Sequence, residues 1–138
     1  VFLDTNIVIY LIERTPGLGR VAEEYVQNLI VQKQRLVVSD LVRMECSVRP
    51  LRLNDPITRS AFNAYFDSGD VDVASITAEV CNRAAVIRAR CNLRPLDSLH
   101  LATAIENGCE RFLTHDIRLK SLPDIAVDAL EADSKRPK

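Results

Sequence analysis

Four carboxylates occupy positions from which a fold could bring them together. Asp4 directly follows the apolar run Val1-Phe2-Leu3, and Asp116 comes two residues after Phe112-Leu113-Thr114. Glu45 lies on the segment after a second apolar run, Leu36-Val37-Val38, and Asp97 opens a stretch of helical periodicity after Pro95. Taken singly, each has an ordinary reading. Asp4 and Asp97 can cap helices, Asp116 can start a turn, and Glu45 can be one exposed residue on a helix face. Gathered at one sheet edge, they repel one another, which raises their pKa values and destabilises the metal-free chain. A divalent cation relieves that cost, and an all-oxygen donor set suits Mg²⁺ or Mn²⁺ rather than Zn²⁺. Only two histidines, His100 and His115, are present, and the cysteines at 46, 81, 91 and 109 include no C-x-x-C pair, which argues against zinc. Those cysteines read as buried small hydrophobes in a reducing compartment rather than as a disulfide framework.

The elements that must position these groups follow from periodicity. Apolar runs predict strands over 1–3, 36–38, 71–74, 111–114 and 125–127. Helices are predicted over 7–13 behind the capping side chains of Asp4-Thr5-Asn6, over 20–34, and from the cap Ser39-Asp40 through Glu45. Pro50 and Pro56 bracket an irregular or short helical link, and Pro56 suits the first position of a helix to Phe66. Two further helices run from Thr77 to about Cys91 and from Leu96 to Glu106, the second ending before Gly108. Strands alternating with helices, without a composition break or repeat, predict an α/β domain: a three-layer α/β/α sandwich with a mainly parallel five-stranded sheet. In such sheets ligands collect beyond the carboxyl ends of the strands, where strand order reverses. The domain is placed at 1–130, and 131–138 reads as a solvated tail.

Composition sets the outer bounds. At 138 residues, 47% hydrophobic and 27% charged, the chain suits one domain with an ample core, and excludes a disordered or collagenous protein. Its longest apolar run, Ile7 to Ile12, is far short of a membrane span, and no basic n-region or small-residue cleavage site opens the chain. The expectation is a soluble, cytoplasmic protein. A net charge of −1 argues against a generally cationic nucleic-acid binder. Fourteen of the eighteen basic residues are Arg, which suits bidentate phosphate contacts, although genome base composition explains that bias equally well.

Val-Phe-Leu-Asp-Thr-Asn at 1–6, Glu45, Pro-Leu-Asp-Ser-Leu-His-Leu-Ala-Thr-Ala at 95–104 and Phe-Leu-Thr-His-Asp at 112–116 resemble, in order and spacing, the motifs of PIN-domain nucleases. The nearest resemblance is to the VapC-type toxins of type II toxin–antitoxin pairs, and it spans nearly the whole chain. It implies a Mg²⁺- or Mn²⁺-dependent endoribonuclease that leaves a 5′-phosphate and a 3′-hydroxyl. By the same resemblance Asp4 and Asp97 are the core metal ligands, with Glu45 and Asp116 ligating directly or through water. Thr5 and Thr114 match hydroxyl positions beside the site, and Asn6 the residue that fixes the first loop. The metal would acidify a bound water and stabilise charge developing on the scissile phosphate. His115 departs from the pattern, standing where Asn is frequent. Relatives of this type form homodimers and are blocked by a small antitoxin that wraps the toxin and places a basic side chain at the carboxylates.

Other side chains have two readings each. His100 reads as a packed helix histidine, with substrate contact as its alternative, and His115 as a phosphate contact or acid. Arg43, Arg49, Arg52, Arg90 and Arg94 are either a solvated face or a basic rim for RNA, with Arg94 nearest the motifs. The broad apolar face of Phe62, Tyr65 and Phe66 is either a second layer of core or an interface. An alternative function keeps the fold as a binding module whose acidic pocket holds a metal or partner protein. Phosphotransfer fits poorly. An aspartyl phosphatase needs a second Asp where Asn6 stands, and a receiver needs an acidic pair where Thr5-Asn6 follow Asp4.

Overall fold

Five short strands rich in β-branched and aromatic residues form the middle layer of the computed structural model, which describes residues 1–132. In chain order the elements are β1 (Phe2–Leu3), α1 (Thr5–Glu13), α2 (Gly19–Val31), β2 (Val37–Ser39), α3 (Asp40–Arg52) and α4 (Pro56–Asp67). They continue with β3 (Asp72–Ala74), α5 (Ala78–Arg90), α6 (Pro95–Glu106), β4 (Arg111–Thr114), a 3₁₀ turn (Ile117–Ser121) and β5 (Ala126–Ala129).

The strand order is β3-β2-β1-β4-β5, and all four pairings are parallel. Helices cover both faces, which makes the predicted α/β/α sandwich. That is why β1, β2 and β4 read as continuous apolar runs rather than alternating ones. Phe2, Leu3, Val37, Val38, Phe112 and Leu113 are all fully buried, and the Phe2 and Phe112 rings stack with centroids 5.2 Å apart. The first three strands build outward from β1 to one edge. The chain then returns to add β4 on the other side of β1, with Phe2 opposite Phe112 and Leu3 opposite Leu113. Strand order therefore reverses between β1 and β4, and their carboxyl ends adjoin.

The predicted elements recur with shifted ends, and the middle differs. Pro50 does not end α3 but lies inside it, in the last turn, where it removes one intrahelical bond instead of breaking a long ladder. Its carbonyl accepts from Asp55 N at 2.9 Å, Asn54 adopts φ 50°, and Asp55 caps α4 by accepting from Thr58 N at 3.0 Å. Phe62 and Phe66 enter the core and Tyr65 packs against it, so this face is core and not an interface. Ile57 on the same helix is 82% exposed. Cys46 alone is buried as expected; Cys81 is exposed, Cys91 and Cys109 are half-buried, and all four are free. No described helix is long and apolar enough to cross a membrane. Of the predicted tail, 133–138 lie outside the described residues.

Candidate active site

Asp4 extends the ladder one residue past β1, its backbone N donating to Leu113 O at 2.9 Å. It then caps α1 from an extended conformation, Oδ1 accepting from Thr5 N at 2.8 Å. Its other oxygen, Oδ2, accepts from Thr114 Oγ1 at 2.7 Å, which closes the β1–β4 edge over a carboxylate only 8% exposed. The Thr114 hydroxyl in turn accepts from Asp116 N at 3.0 Å and lies 3.5 Å from Asn6 Nδ2. Asn6 Oδ1 accepts from His115 N at 3.2 Å. Asp4, Asn6, Thr114, His115 and Asp116 are thus one hydrogen-bonded joint between the ends of β1 and β4.

Glu45 reaches this joint from α3. Its Oε1 accepts from Thr5 Oγ1 at 2.6 Å and lies 2.6 Å from His100 Nε2 of α6, while Oε2 accepts no hydrogen bond among the described residues. Thr5 bridges the two carboxylates, its amide to Asp4 and its hydroxyl to Glu45. The electrostatics of the pair differ. Burial pushes the Asp4 carboxyl above its usual range; His100 and the Thr114 and Thr5 donors oppose this, and the neighbouring Glu45 charge adds to it. Burial also pushes Glu45 upward, but hydrogen bonds from His100 and Thr5 outweigh it and leave Glu45 below its usual range.

Asp97 and Asp116 are placed nearby and held differently. Asp97, in the first turn of α6, takes a two-pronged contact from Arg94, Nε to Oδ2 at 3.0 Å and Nη2 to Oδ1 at 3.3 Å. Asp116 caps the 3₁₀ turn by accepting from Arg118 N at 3.1 Å, and the Arg118 guanidinium forks onto both its oxygens. That fork holds Asp116 below the usual carboxylate range. The two pairs feel each other, since Arg94 responds to the charges of Arg118 and Asp116, and Arg118 to that of Asp97. Glu45, Arg94, Pro95, Leu96 and Asp97 line a cleft of ≈ 410 Å³. Larger clefts, of ≈ 590 Å³ beside Glu23 and Gln27 and of ≈ 550 Å³ beside Val73 and Thr77, lie away from these carboxylates, so volume alone does not single out the site.

Asp4 and Glu45 therefore share one joint, and Asp97 shares a cleft with Glu45. Asp116 adjoins through Thr114 and the arginines. Among the described residues no three His, Cys, Asp or Glu side chains are placed to hold a metal ion. The physical reason is visible: the two outer carboxylates are folded onto guanidinium groups, and the inner two onto hydrogen-bond donors. The donor chemistry nevertheless fits a hard cation, with carboxylate oxygens throughout, an Oε2 without a donor, and a buried Asp4 that no Lys or Arg among the described residues pairs.

His115 is exposed, with Nδ1 2.8 Å from Tyr10 Oη and the two rings edge to face. Of the remaining arginines, Arg43 stacks on Phe66 and reaches Asp67, Arg49 pairs with Glu13, and Arg90 with Asp124. Of the five arginines considered for a basic rim, Arg94 is the one paired with a candidate site carboxylate among the described residues. Sequence reasoning missed three neighbours: His100 as a partner of Glu45, Arg118 as the partner of Asp116, and Tyr10. The Asp116-x-Arg118 spacing, that of a side chain capping a turn two residues on, was the one available signal. The Glu45–His100 contact spans 55 residues and leaves no local trace.

A family model described as the PIN domain matches residues 1–125. Among solved structures, a chain of VapBC2 from Rickettsia felis, bound to a DNA fragment from their promoter, superposes with TM-score 0.79 at 16% identity, covering 94% of this chain and 98% of that one. A toxin–antitoxin complex from Klebsiella pneumoniae gives TM-score 0.69 at 20% identity over 91% of this chain and 95% of that one. VapC20 from Mycobacterium tuberculosis, a sarcin–ricin loop cleaving toxin, gives 0.65 at 19% identity over 80% and 85%. No curated protein matches the chain.

Proposed function

Because the chain belongs to the PIN-domain family, we propose that it is a Mg²⁺- or Mn²⁺-dependent endoribonuclease, acting in the cytoplasm as the toxin of a type II toxin–antitoxin pair. The observation that carries this reading is Asp4, a buried carboxylate at the reversal point of the sheet. It accepts hydrogen bonds only from Thr5 and Thr114, and no Lys or Arg among the described residues pairs with it. Residues serving only to hold a fold are not built this way, because burying a charge without a counter-charge is costly.

In this reading Asp4, Glu45, Asp97 and Asp116 hold the cation. When bound, it supplies an acidified water and a positive centre for the charge that develops on the scissile phosphate. Thr5, Asn6 and Thr114 fix the carboxylates from the ends of β1 and β4. Arg94 and Arg118 are well exposed on their carboxylate partners, 70% and 63%, so water screens both pairs and exchange for other anions costs little. They are then available to bind RNA phosphates, and His115, beside Tyr10, extends the same rim.

The relatives solved as toxin–antitoxin complexes support an antitoxin partner. On this chain Met44, Val48 and Leu51 of α3, with Leu53 and Ile57 beyond it, leave apolar surface for an antitoxin or a second copy in a homodimer. A second reading, a binding module that uses its acidic pocket to hold a partner, is favoured by the arginine-closed carboxylates and the lack of a three-donor cluster among the described residues.

RNA cleavage by the purified chain, with Mn²⁺ and with EDTA beside Asp97→Asn, separates the two. Metal-dependent cleavage lost in the variant is the expected result. Equal trace activity in wild type and variant would put the binding module first.

A further inference from the structure

Two donors from different elements converge on one oxygen of Glu45. The Thr5 hydroxyl comes from the first turn of α1 and His100 Nε2 from α6, each 2.6 Å from Oε1. A carboxylate anchored by one hydrogen bond still turns about its last side-chain bond, whereas two donors on one oxygen fix which oxygen points away. His100 also lies one helical turn after Asp97, so a single helix carries one carboxylate and steers a second.

The surroundings of His100 indicate how it does this. The ring is 2% exposed and packs beside Phe2 with centroids 6.0 Å apart. Its Nδ1 is buried and has no hydrogen-bond partner. An orphaned N–H in that position costs more than an orphaned lone pair, because the donor's desolvation goes uncompensated. The hydrogen the site uses is therefore the one on Nε2, which donates to Glu45 Oε1. A histidine serving only as core packing has no need of that carboxylate, and an aliphatic side chain fills the space without an orphaned nitrogen.

From this geometry we propose that His100 is a positioning residue: with Thr5 it pins Oε1 of Glu45 and leaves Oε2 as the oxygen that binds a divalent cation. The inference rests on the metal-dependent reading above and adds to it a residue that touches neither metal nor RNA.

The test uses the full chain, with Mn²⁺ as the probe. Mn²⁺ affinity is measured by calorimetry for wild type, His100→Leu, His100→Gln, Glu45→Gln and the His100→Leu/Glu45→Gln double variant. Metal-free thermal unfolding and RNA cleavage are followed in parallel. His100→Leu is expected to stay folded and lose about 10–100-fold in Mn²⁺ affinity, the usual cost of removing a group that orients a ligand. His100→Gln, whose amide nitrogen reaches about as far as Nε2, is expected to recover most of it. The double variant is expected to lose no more than Glu45→Gln alone, because the two act as a unit.

Wild-type Mn²⁺ affinity in folded His100→Leu overturns the inference, as does strict additivity with Glu45→Gln. Should His100→Leu fail to fold, His100→Asn replaces it: its shorter amide falls short of Oε1, and equal affinity in the Asn and Gln variants overturns the inference. The two levels separate cleanly. Wild type that binds Mn²⁺ and cleaves RNA beside an unaffected His100→Leu refutes the positioning role alone. Wild type that neither binds Mn²⁺ nor cleaves RNA refutes the nuclease reading, and the positioning role with it.

Discussion

Asp4 at the end of β1 and Asp128 in β5 are both largely sheltered from water, yet the chain treats them in opposite ways. Asp128 takes a guanidinium fork from Arg111 of the neighbouring strand, both bonds 2.6 Å, and a hydroxyl from Tyr25 at 2.8 Å. Its pKa falls, with the Arg111 hydrogen bonds the largest cause. Tyr25 is pushed up to about 12 by burial and by that same carboxylate. Asp4 receives only an amide and a threonine hydroxyl, shares its surroundings with Glu45, and is driven upward by burial. Asp128 is given its cation by the neighbouring strand. Asp4, without an Arg or Lys partner and beside a second acid, is suited to a charge balanced from elsewhere.

The comparison is tested most severely by swapping each acid for its amide. Asp4→Asn is expected to lower RNA cleavage by at least ~10²-fold, several kcal/mol of transition-state stabilisation. Its melting temperature should hold or rise, because the substitution removes a buried charge. A large loss of stability with intact cleavage would reverse the assignment of roles.

The next effect belongs to the outer arginines. Arg94→Ala and Arg118→Ala should each weaken RNA binding and reduce the slope of log affinity against log salt by roughly 0.7, the single-strand value per phosphate contact. Fluorescence anisotropy across a salt series reads this, and an unchanged slope removes that arginine from the RNA surface.

At the other region, Arg111→Ala should cost about 0.5–1 kcal/mol, the modest value of a half-exposed ion pair, with cleavage unchanged. In a domain of this size that is a fall of roughly 2–4 °C in melting temperature.

The smallest effects are in pH dependence, and they have opposite signs. Asp128 is depressed in the folded state, so its contribution is present above the unfolded value of 3.8 and lost as pH falls through the folded one. Asp4 is raised, so its contribution is complete below 3.8 and lost as pH rises through its folded value. Denaturant midpoints over a pH series should lose the acid-side fall in Asp128→Asn, and the decline above 3.8 in Asp4→Asn. Identical pH curves for the two variants would collapse the distinction.

What was legible in the sequence was whatever has a local cause. The alternation of apolar runs with helical periodicity predicted the layers, and β4 emerged at the predicted 111–114 because Phe112 and Leu113 are buried on both faces. Asp4 and Asp116 were legible at the sheet edge because they stand one and two residues past a strand. Pro50 was misjudged because a proline's cost depends on its distance from the helix end, which tertiary packing decides. Phe62 and Phe66 left core and interface open, since breadth of an apolar face does not reveal what covers it. His100 and Arg118 were missed as site neighbours for different reasons. The first meets Glu45 only through the packing of two distant helices, and the second adopts a local fork that is one of several an exposed arginine can make.

The pairing of β1 with β4 also sets a timetable. Asp4 is fourth in the chain, but the hydroxyl that seats it belongs to Thr114, 110 residues later. A polypeptide emerging amino end first builds its early layers as it appears, and long-range parallel pairings close late. Until β4 leaves the exit tunnel and joins β1, Asp4 lacks its seat and Asp116 has not arrived. On the nuclease reading, the site has no assembled form until residues 111–116 have been made and docked, so activity waits on a segment about 110 residues downstream of the first carboxylate.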